Sequence, residues 1–364
     1  MTPPARILMG PGPSDVSPRV LKALSRPTVG HLDPYFLKLL DETQSMLREV
    51  FGTANALTLP ISATGSAGME TCFVNLLEPN DKALICRNGV FGGRMAEVAR
   101  RCGAEVTVVD APWGRAIDPD DVARAAKGGE FKVLALVHAE TSTGVLHDLS
   151  PFRAIADACG ALLVVDAVTS LGGVAVDVDR MGIDAVYSGT QKCLSCPPGL
   201  SPVSFSERAR NVLENRKTPI QSWYFDLTLI GRYFGTERVY HHTAPVNMVY
   251  ALHESLRLVL EEGLDARYRR HQDNAQALWA GLEQLGIALP VEPPVRLPPL
   301  TLARIPEGAD DRAVRVQLLD NHGLEIGGGL GEFAGKAWRI GLMGESSTPS
   351  HVELCLGALE EALG

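Results

Sequence analysis

The chain has 364 residues, 45% of them apolar and 21% charged, with a formal net charge of -9. That length suits a large domain with a smaller one, and the balance excludes a fibre or a disordered chain. An acidic total argues against nucleic-acid binding, because phosphate affinity comes from clustered Lys and Arg.

The start, Met1-Thr2-Pro3-Pro4-Ala5-Arg6, lacks the apolar core of a signal peptide. No window approaches the roughly 18 uninterrupted apolar residues of a membrane span, so a cytoplasmic protein with no membrane partner is expected. Residues 1–14, rich in Gly and Pro, are expected to lie extended over the surface. Helical apolar spacing follows over 35–51 and stops at Gly52. The loop 62–68 leads into a helix over 67–77, closed by Pro79-Asn80-Asp81. Next come a strand (82–86), a helix (93–101), a strand (105–109) and a helix (119–126). The alternation continues with a strand (133–138), a helix (151–159) and strands at 161–166 and 184–188. Val133-Leu-Ala-Leu-Val137 and Leu162-Leu-Val-Val165 are continuous apolar runs, so both faces of these strands are covered. That pattern belongs to a parallel sheet with helices on either side.

Beyond Gly263 the texture changes. A long helix (264–285), carrying the compact basic run Arg267-Tyr268-Arg269-Arg270 on what reads as a solvated face, leads into a Pro-rich stretch at 290–299. Strands at 300–305 and 337–342 and helices at 310–321 and 350–363 complete a smaller unit. The expected fold class is therefore α/β, a mostly parallel sheet covered on both faces, plus a smaller α+β C-terminal domain. The expected division is an extended segment (1–14), a large domain (15–262) and a small domain (263–364). Seven cysteines, an odd count in a long chain, do not suggest a disulfide framework. Cys193 and Cys196 form a lone C-x-x-C with no second pair and no nearby His, and read as two reduced thiols.

In open α/β sheets, ligands collect beyond the carboxyl ends of the strands. Asp166 ends one strand, Lys192 follows another within Ser188-Gly-Thr-Gln-Lys192, and Thr141 follows a third. Ser62-Ala-Thr-Gly-Ser-Ala-Gly68 opens a helix. Singly, each is as ordinary as a cap or a turn. Together, in this order, they can deliver an acid, an amine, a hydroxyl and a phosphate cradle to one place.

With these residues in hand, the sequence resembles the class V, fold-type I pyridoxal-phosphate enzymes, and within them the alanine–glyoxylate and serine–pyruvate aminotransferases. The resemblance runs from about residue 7 to the C-terminus. It is carried by Gly10-Pro-Gly-Pro13, the 62–68 loop with Glu70, Asn88-Gly-Val-Phe-Gly92 and His138-Ala-Glu-Thr-Ser-Thr-Gly144. It continues through Val165-Asp-Ala-Val-Thr-Ser-Leu-Gly-Gly173, Tyr187-Ser-Gly-Thr-Gln-Lys192, Pro197-Pro-Gly199, Tyr240-His-His-Thr243 and Trp338-Arg-Ile-Gly341.

The resemblance implies pyridoxal 5'-phosphate as cofactor, small amino and keto acids as substrates, and a homodimer with shared active sites. It implies that Lys192 holds the cofactor covalently and shuttles the substrate proton, and that Asp166 pairs with the ring nitrogen. Thr64, Gly65 and Ser66 would cradle the phosphate, with Gln191 adding a contact. Phe91 would stack on one ring face, Val168 would pack under the other, and Thr141 would lie near the ring hydroxyl. Tyr240 and Thr243 would reach the neighbouring subunit's phosphate. Arg339 would grip the substrate carboxylate, and Phe91 with the segment near Gly30 would bound the side-chain space.

Phe91 stands where better-known relatives carry Trp, which keeps the stacking and loses an indole N–H. Thr64 and Ser66 replace Ser and His, leaving the backbone donors unaffected. His31 and Tyr240 occupy places where the similar (S)-ureidoglycine–glyoxylate enzymes carry amides, which weakens that alternative. Cysteine desulfurases are disfavoured, because Gln191 rather than His precedes the lysine and the only Cys after residue 200 is Cys355. The residues also offer no convincing second Arg for a dicarboxylate acceptor.

Overall fold

The structure is a computed structural model and describes residues 2–364. Seven strands form the central sheet: β1 (Leu57–Ile61), β2 (Lys82–Arg87), β3 (Glu105–Asp110), β4 (Val133–Val137), β5 (Leu162–Asp166), β6 (Ala185–Tyr187) and β7 (Ser201–Phe205). Their spatial order is 1-7-6-5-4-2-3. All neighbouring pairs are parallel except those of β7, which is antiparallel to both β1 and β6. Every residue of β4, β5 and β7 is buried, as the apolar runs of β4 and β5 require when helices cover both faces. The α/β class expected from the sequence is the one observed.

Two strands, β1 and β7, were not anticipated. Each contains a proline, which lacks the N–H that a central strand donates. The structure reconciles them by register. Pro60 and Pro202 stand directly opposite each other, and the Pro202 carbonyl accepts from Ser188 N on the β6 side (2.8 Å), so its missing N–H faces β6, where Ser201 Oγ donates to the Ser188 carbonyl instead.

The helix starts follow local signals where these exist. Asp33 caps Pro34–Phe51 by accepting from the Tyr35 N–H, and Gly52 ends it in the left-handed region (φ 67). Val90–Arg101 starts three residues before the expected position. Its first amides are capped from a distant segment, where Ser142 Oγ accepts from Val90 N (2.9 Å) and a Glu140 carboxylate oxygen accepts from Phe91 N (3.1 Å). A cap some fifty residues away leaves no local trace.

Apolar side chains gather in two principal clusters. The first spans the large sheet and its helices, and includes Phe36, Leu134, Val164, Phe205 and Leu252. The second joins Met9, Leu278, Leu318, Trp338 and Leu359 around the antiparallel sheet of Leu300–Arg304, Ala337–Gly341 and Gly327–Gly328.

Residues 2–6 are exposed, as expected, but from Ile7 on the N-terminal segment enters the structure. Ile7 and Leu8 pair in parallel with Leu324 and Glu325, Met9 is fully buried, and Ser14 Oγ donates to the Lys192 carbonyl at 2.8 Å. Its short apolar run adds a strand to the smaller unit, and the chain then crosses to the strand ends of the large sheet. The basic run is likewise not a solvated face. Arg267 is buried and donates to the Gly172 and Cys193 carbonyls (2.9 and 2.6 Å), while Arg270 reaches the Gly344 and Ser347 carbonyls (2.9 and 2.5 Å). Glu262 pairs with both guanidiniums. Such planar donors satisfy loop carbonyls that have no strand partner, and they fix the long helix against the segment next to Lys192.

Candidate active site

Asp166 is the last residue of β5, and Tyr187, its register partner across the parallel pair, is the last of β6. The chain then turns to bring Lys192 back over these strand ends. Thr64, Gly65, Ser66, Phe91, Thr141, Asp166, Val168, Gln191 and Lys192 all line one cavity. Arg339 stands nearby on the small sheet, buried, with Nε donating to the Gly328 carbonyl at 2.7 Å. Gly30, Tyr240 and Thr243 do not line the cavity of their own chain and are exposed.

Lys192 is buried, and its Nζ donates to the Pro11 carbonyl. Burial, then the neighbouring Arg339 charge, push its amine down to about 8, against the opposing pull of Cys193, Asp166 and Glu140. The N-terminal turn approaches so closely that residue 12 must be glycine. Its φ is +104, and an added Cβ would lie 2.7 Å from Lys192 Cδ.

The Asp166 carboxylate accepts from Val168 N and from Tyr187 Oη, both at 2.8 Å. Burial pushes its pKa up to about 7; the two hydrogen bonds and Lys192 pull down, and Glu140 pushes up. A buried acid at that balance is poised to ionise beside a cation.

The helix Gly65–Leu76 begins at the cavity with Thr64 extended before it and no side chain capping its first amides. Those amides and the helix dipole therefore face the cavity as an anion cradle. A Cβ at Gly65 would crowd Val168 Cγ2 at 3.2 Å, so the smallest side chain fits best there. The Gln191 Oε1 is buried without a partner, and an amide end left over in a lined cavity is suited to a ligand atom. A primary amine, an acid at the far wall, an uncapped helix start and an aromatic wall suit a pyridoxal phosphate.

Three residues at the site went unassigned in the sequence. Glu140 is fully buried, and its carboxylate accepts from the backbone of Phe91, Gly92 and Ser142 and from Ser142 Oγ (2.6 Å). Burial raises its pKa against these bonds. Tyr187 is the second. The third, Arg94, is an arginine at the cavity that the sequence, offering no convincing second Arg for a dicarboxylate, did not single out. It lines the cavity with its guanidinium 5.0 Å from the Phe91 ring centroid, and Nη1 donates to Ser66 Oγ at 3.2 Å. Its i,i+3 spacing from Phe91 on a helix was the available signal. Its bonds hold it on the side of the phosphate cradle.

Cys193 and Cys196 are buried and unpaired, as are the other five cysteines. Among the described residues no cluster could hold a metal ion, and no helix is long and apolar enough to cross a membrane.

A parallel sheet with one reversed strand, a small C-terminal sheet, and a lysine facing an aspartate at the strand ends define a fold-type I enzyme. The Aminotransferase class-V profile matches residues 11–330, and the chain belongs to that family of pyridoxal-phosphate-dependent aminotransferases. It is 42% identical to the (S)-ureidoglycine–glyoxylate transaminase of Bacillus subtilis, over 99% of this chain and 91% of that protein. It is 41% identical to the alanine–glyoxylate aminotransferase of Rattus norvegicus, over 99% and 88%. The crystal structure of an alanine–glyoxylate aminotransferase from Nostoc sp. superposes with a TM-score of 0.98 at 48% identity, covering 100% of this chain and 97% of that one.

Proposed function

We propose that this aminotransferase moves the amino group of L-alanine, with L-serine second, to glyoxylate, giving glycine and a 2-oxo acid. The observation that carries this reading is the lysine–aspartate pair set across one small cavity, with Arg339 beside it. Bound pyridoxal phosphate supplies an electron sink conjugated to the amino acid's Cα. Lys192 would hold the cofactor covalently and, as a free amine, would carry the substrate's Cα proton; an amine held near 8 can accept and return it at neutral pH. Asp166 meets the ring nitrogen. Gly65, Ser66, Thr64 and Gln191 would hold the phosphate, Phe91 and Val168 would cover the two ring faces, and Thr141 would lie by the ring hydroxyl. Arg339 binds the carboxylate common to donor and acceptor with its guanidinium fork.

Side-chain space decides the acceptor. Arg94 is engaged by Phe91 and Ser66, so a distal carboxylate would find no free cation in the cavity among the described residues. The expected kcat/KM order is glyoxylate, then pyruvate, with 2-oxoglutarate lower than glyoxylate by roughly a hundredfold or more. A preference for 2-oxoglutarate overturns this reading. The alternative donor, (S)-ureidoglycine, is the one named for the Bacillus relative. His31 and Tyr240 sit ring to ring here, with centroids 5.2 Å apart, and offer no amide for a ureido group. A much faster reaction with ureidoglycine than with alanine would move the enzyme to that chemistry.

The working unit in this proposal is a homodimer whose sites are completed across the interface by Tyr240 and Thr243. In support, Tyr240, Trp223, Tyr35 and Leu32 are 57%, 62%, 55% and 44% exposed, an amount of bare apolar surface that suits burial by a partner. Sedimentation at assay concentration is expected to give a dimer carrying all the activity; a fully active monomer would overturn this. Seven free thiols suit a reducing cytoplasm. The small domain is proposed to start at Gly263, where φ of 83 breaks two consecutive helices.

A further inference from the structure

We infer that Tyr187 is a positioning residue for the reaction: its phenol fixes the Asp166 carboxylate in its ionised form and in the orientation that meets the cofactor's ring nitrogen. The inference rests on the proposed pairing of Asp166 with that nitrogen and names the group that controls it.

The two side chains are held in place by the sheet itself. Asp166 and Tyr187 are register partners at the ends of adjacent parallel strands, and both are almost wholly excluded from solvent. The phenol donates to Oδ2 at 2.8 Å, and the Val168 N–H occupies Oδ1 at 2.8 Å. With one donor on each oxygen the carboxylate plane cannot rotate, and its remaining lone pairs stay available to the cavity. The tyrosine is itself clamped. The helix Gly65–Leu76 packs so closely on β6 that a Cβ on Gly68 would lie 3.0 Å from Tyr187 Cβ and 2.1 Å from Ser201 Oγ. The same helix start forms the phosphate cradle, so one contact sets both ends of the cofactor site.

The chemistry gives this bond a direction. Burial and the Asp166 charge raise the phenol's pKa well above its ordinary value, so it remains a donor throughout the working range. A donor to a carboxylate stabilises the anion and weakens its hold on a proton. Burial and Glu140 act in the opposite sense, drawing a proton onto Asp166. When a ring nitrogen and Asp166 share one proton, the Tyr187 bond moves it toward the nitrogen, which is where the ring must carry it to accept electrons from Cα. Without that bond the proton rests more on the acid. No covalent bond is made or broken by Tyr187 itself.

The test compares the affinity for pyridoxal phosphate with that for its 1-deaza analogue, in which C–H replaces the ring nitrogen. Wild-type protein is expected to prefer the nitrogen compound; equal affinities in wild type would remove the Asp166 pairing on which the inference stands. Tyr187→Phe is expected to weaken pyridoxal phosphate binding by roughly tenfold while leaving the analogue within about twofold, and to lower kcat by roughly tenfold to a hundredfold with donor KM little changed. Equal loss for both compounds means a merely structural role and overturns the inference, as does no change in either. Should Tyr187→Phe fold poorly, 3-fluorotyrosine at position 187 keeps the shape and strengthens the donor. The Asp166 carboxyl, followed by carbon-13 NMR in cofactor-free protein, is then expected to titrate lower than in wild type. An unmoved or raised titration overturns the inference.

Discussion

Lys192→Ala is expected to lower turnover by roughly ten-thousandfold or more and to remove the visible absorbance of the covalently held cofactor. Two tasks are lost together, the covalent anchor and the proton carrier, and among the described residues no other primary amine lines the cavity. The fold should survive. Lys192 is anchored through its backbone as well, its carbonyl accepting from both Ser14 Oγ and Ser195 N at 2.8 and 2.9 Å, and a shortened side chain leaves those bonds intact. Losing a buried cation also relieves its desolvation, so the cofactor-free variant is expected to be at least as stable as wild type near neutral pH. Assay of purified variant, with borohydride trapping and peptide mapping, checks this. Near-native turnover with trapping at another lysine would remove Lys192 from the mechanism.

Asp166→Asn is the second large effect, with kcat expected to fall by roughly a hundredfold to a thousandfold, the usual loss when a preorganised charge is removed from a reacting system. Donor KM should change little, because Arg339 and not Asp166 faces the carboxylate in this proposal. The same variant has a signature in pH. The folded Asp166 carboxyl is raised to about 7 from an ordinary 3.8, chiefly by burial. Between those values the folded protein keeps a proton that the unfolded chain has released, so stability falls as pH rises through that window. Glu140 contributes with the same sign and is present in both proteins. The urea midpoint of cofactor-free wild type should therefore drop more between pH 5 and about 7.5 than that of Asp166→Asn. Identical slopes would mean that Asp166 titrates normally, and kcat within twofold of wild type would remove it from the chemistry.

Much of the fold was legible because the signals are local. Unbroken apolar runs at 133–137 and 162–165, bounded by helical periodicity, require a covered parallel sheet, and that is the sheet observed. The strand-end positions of Asp166, Thr141 and Lys192 followed from the same alternation, since a parallel sheet sends every such end to one edge. The structure does bring them to one cavity. What escaped was local sequence that argued the wrong way. Prolines disguised β1 and β7, and four charged or aromatic residues in a row disguised a buried contact at Arg267.

The rest was decided by the tertiary structure alone, for one physical reason. A buried polar group must find a partner, and the partner is chosen by where the strands and helices meet rather than by what lies beside it in the chain. Composition, periodicity and motif order determined a helix-covered sheet with an amine and an acid at its edge. Only the assembled sheet decided that Tyr187 bonds Asp166, that Glu140 caps the helix carrying Phe91, and that the N-terminal turn closes over Lys192.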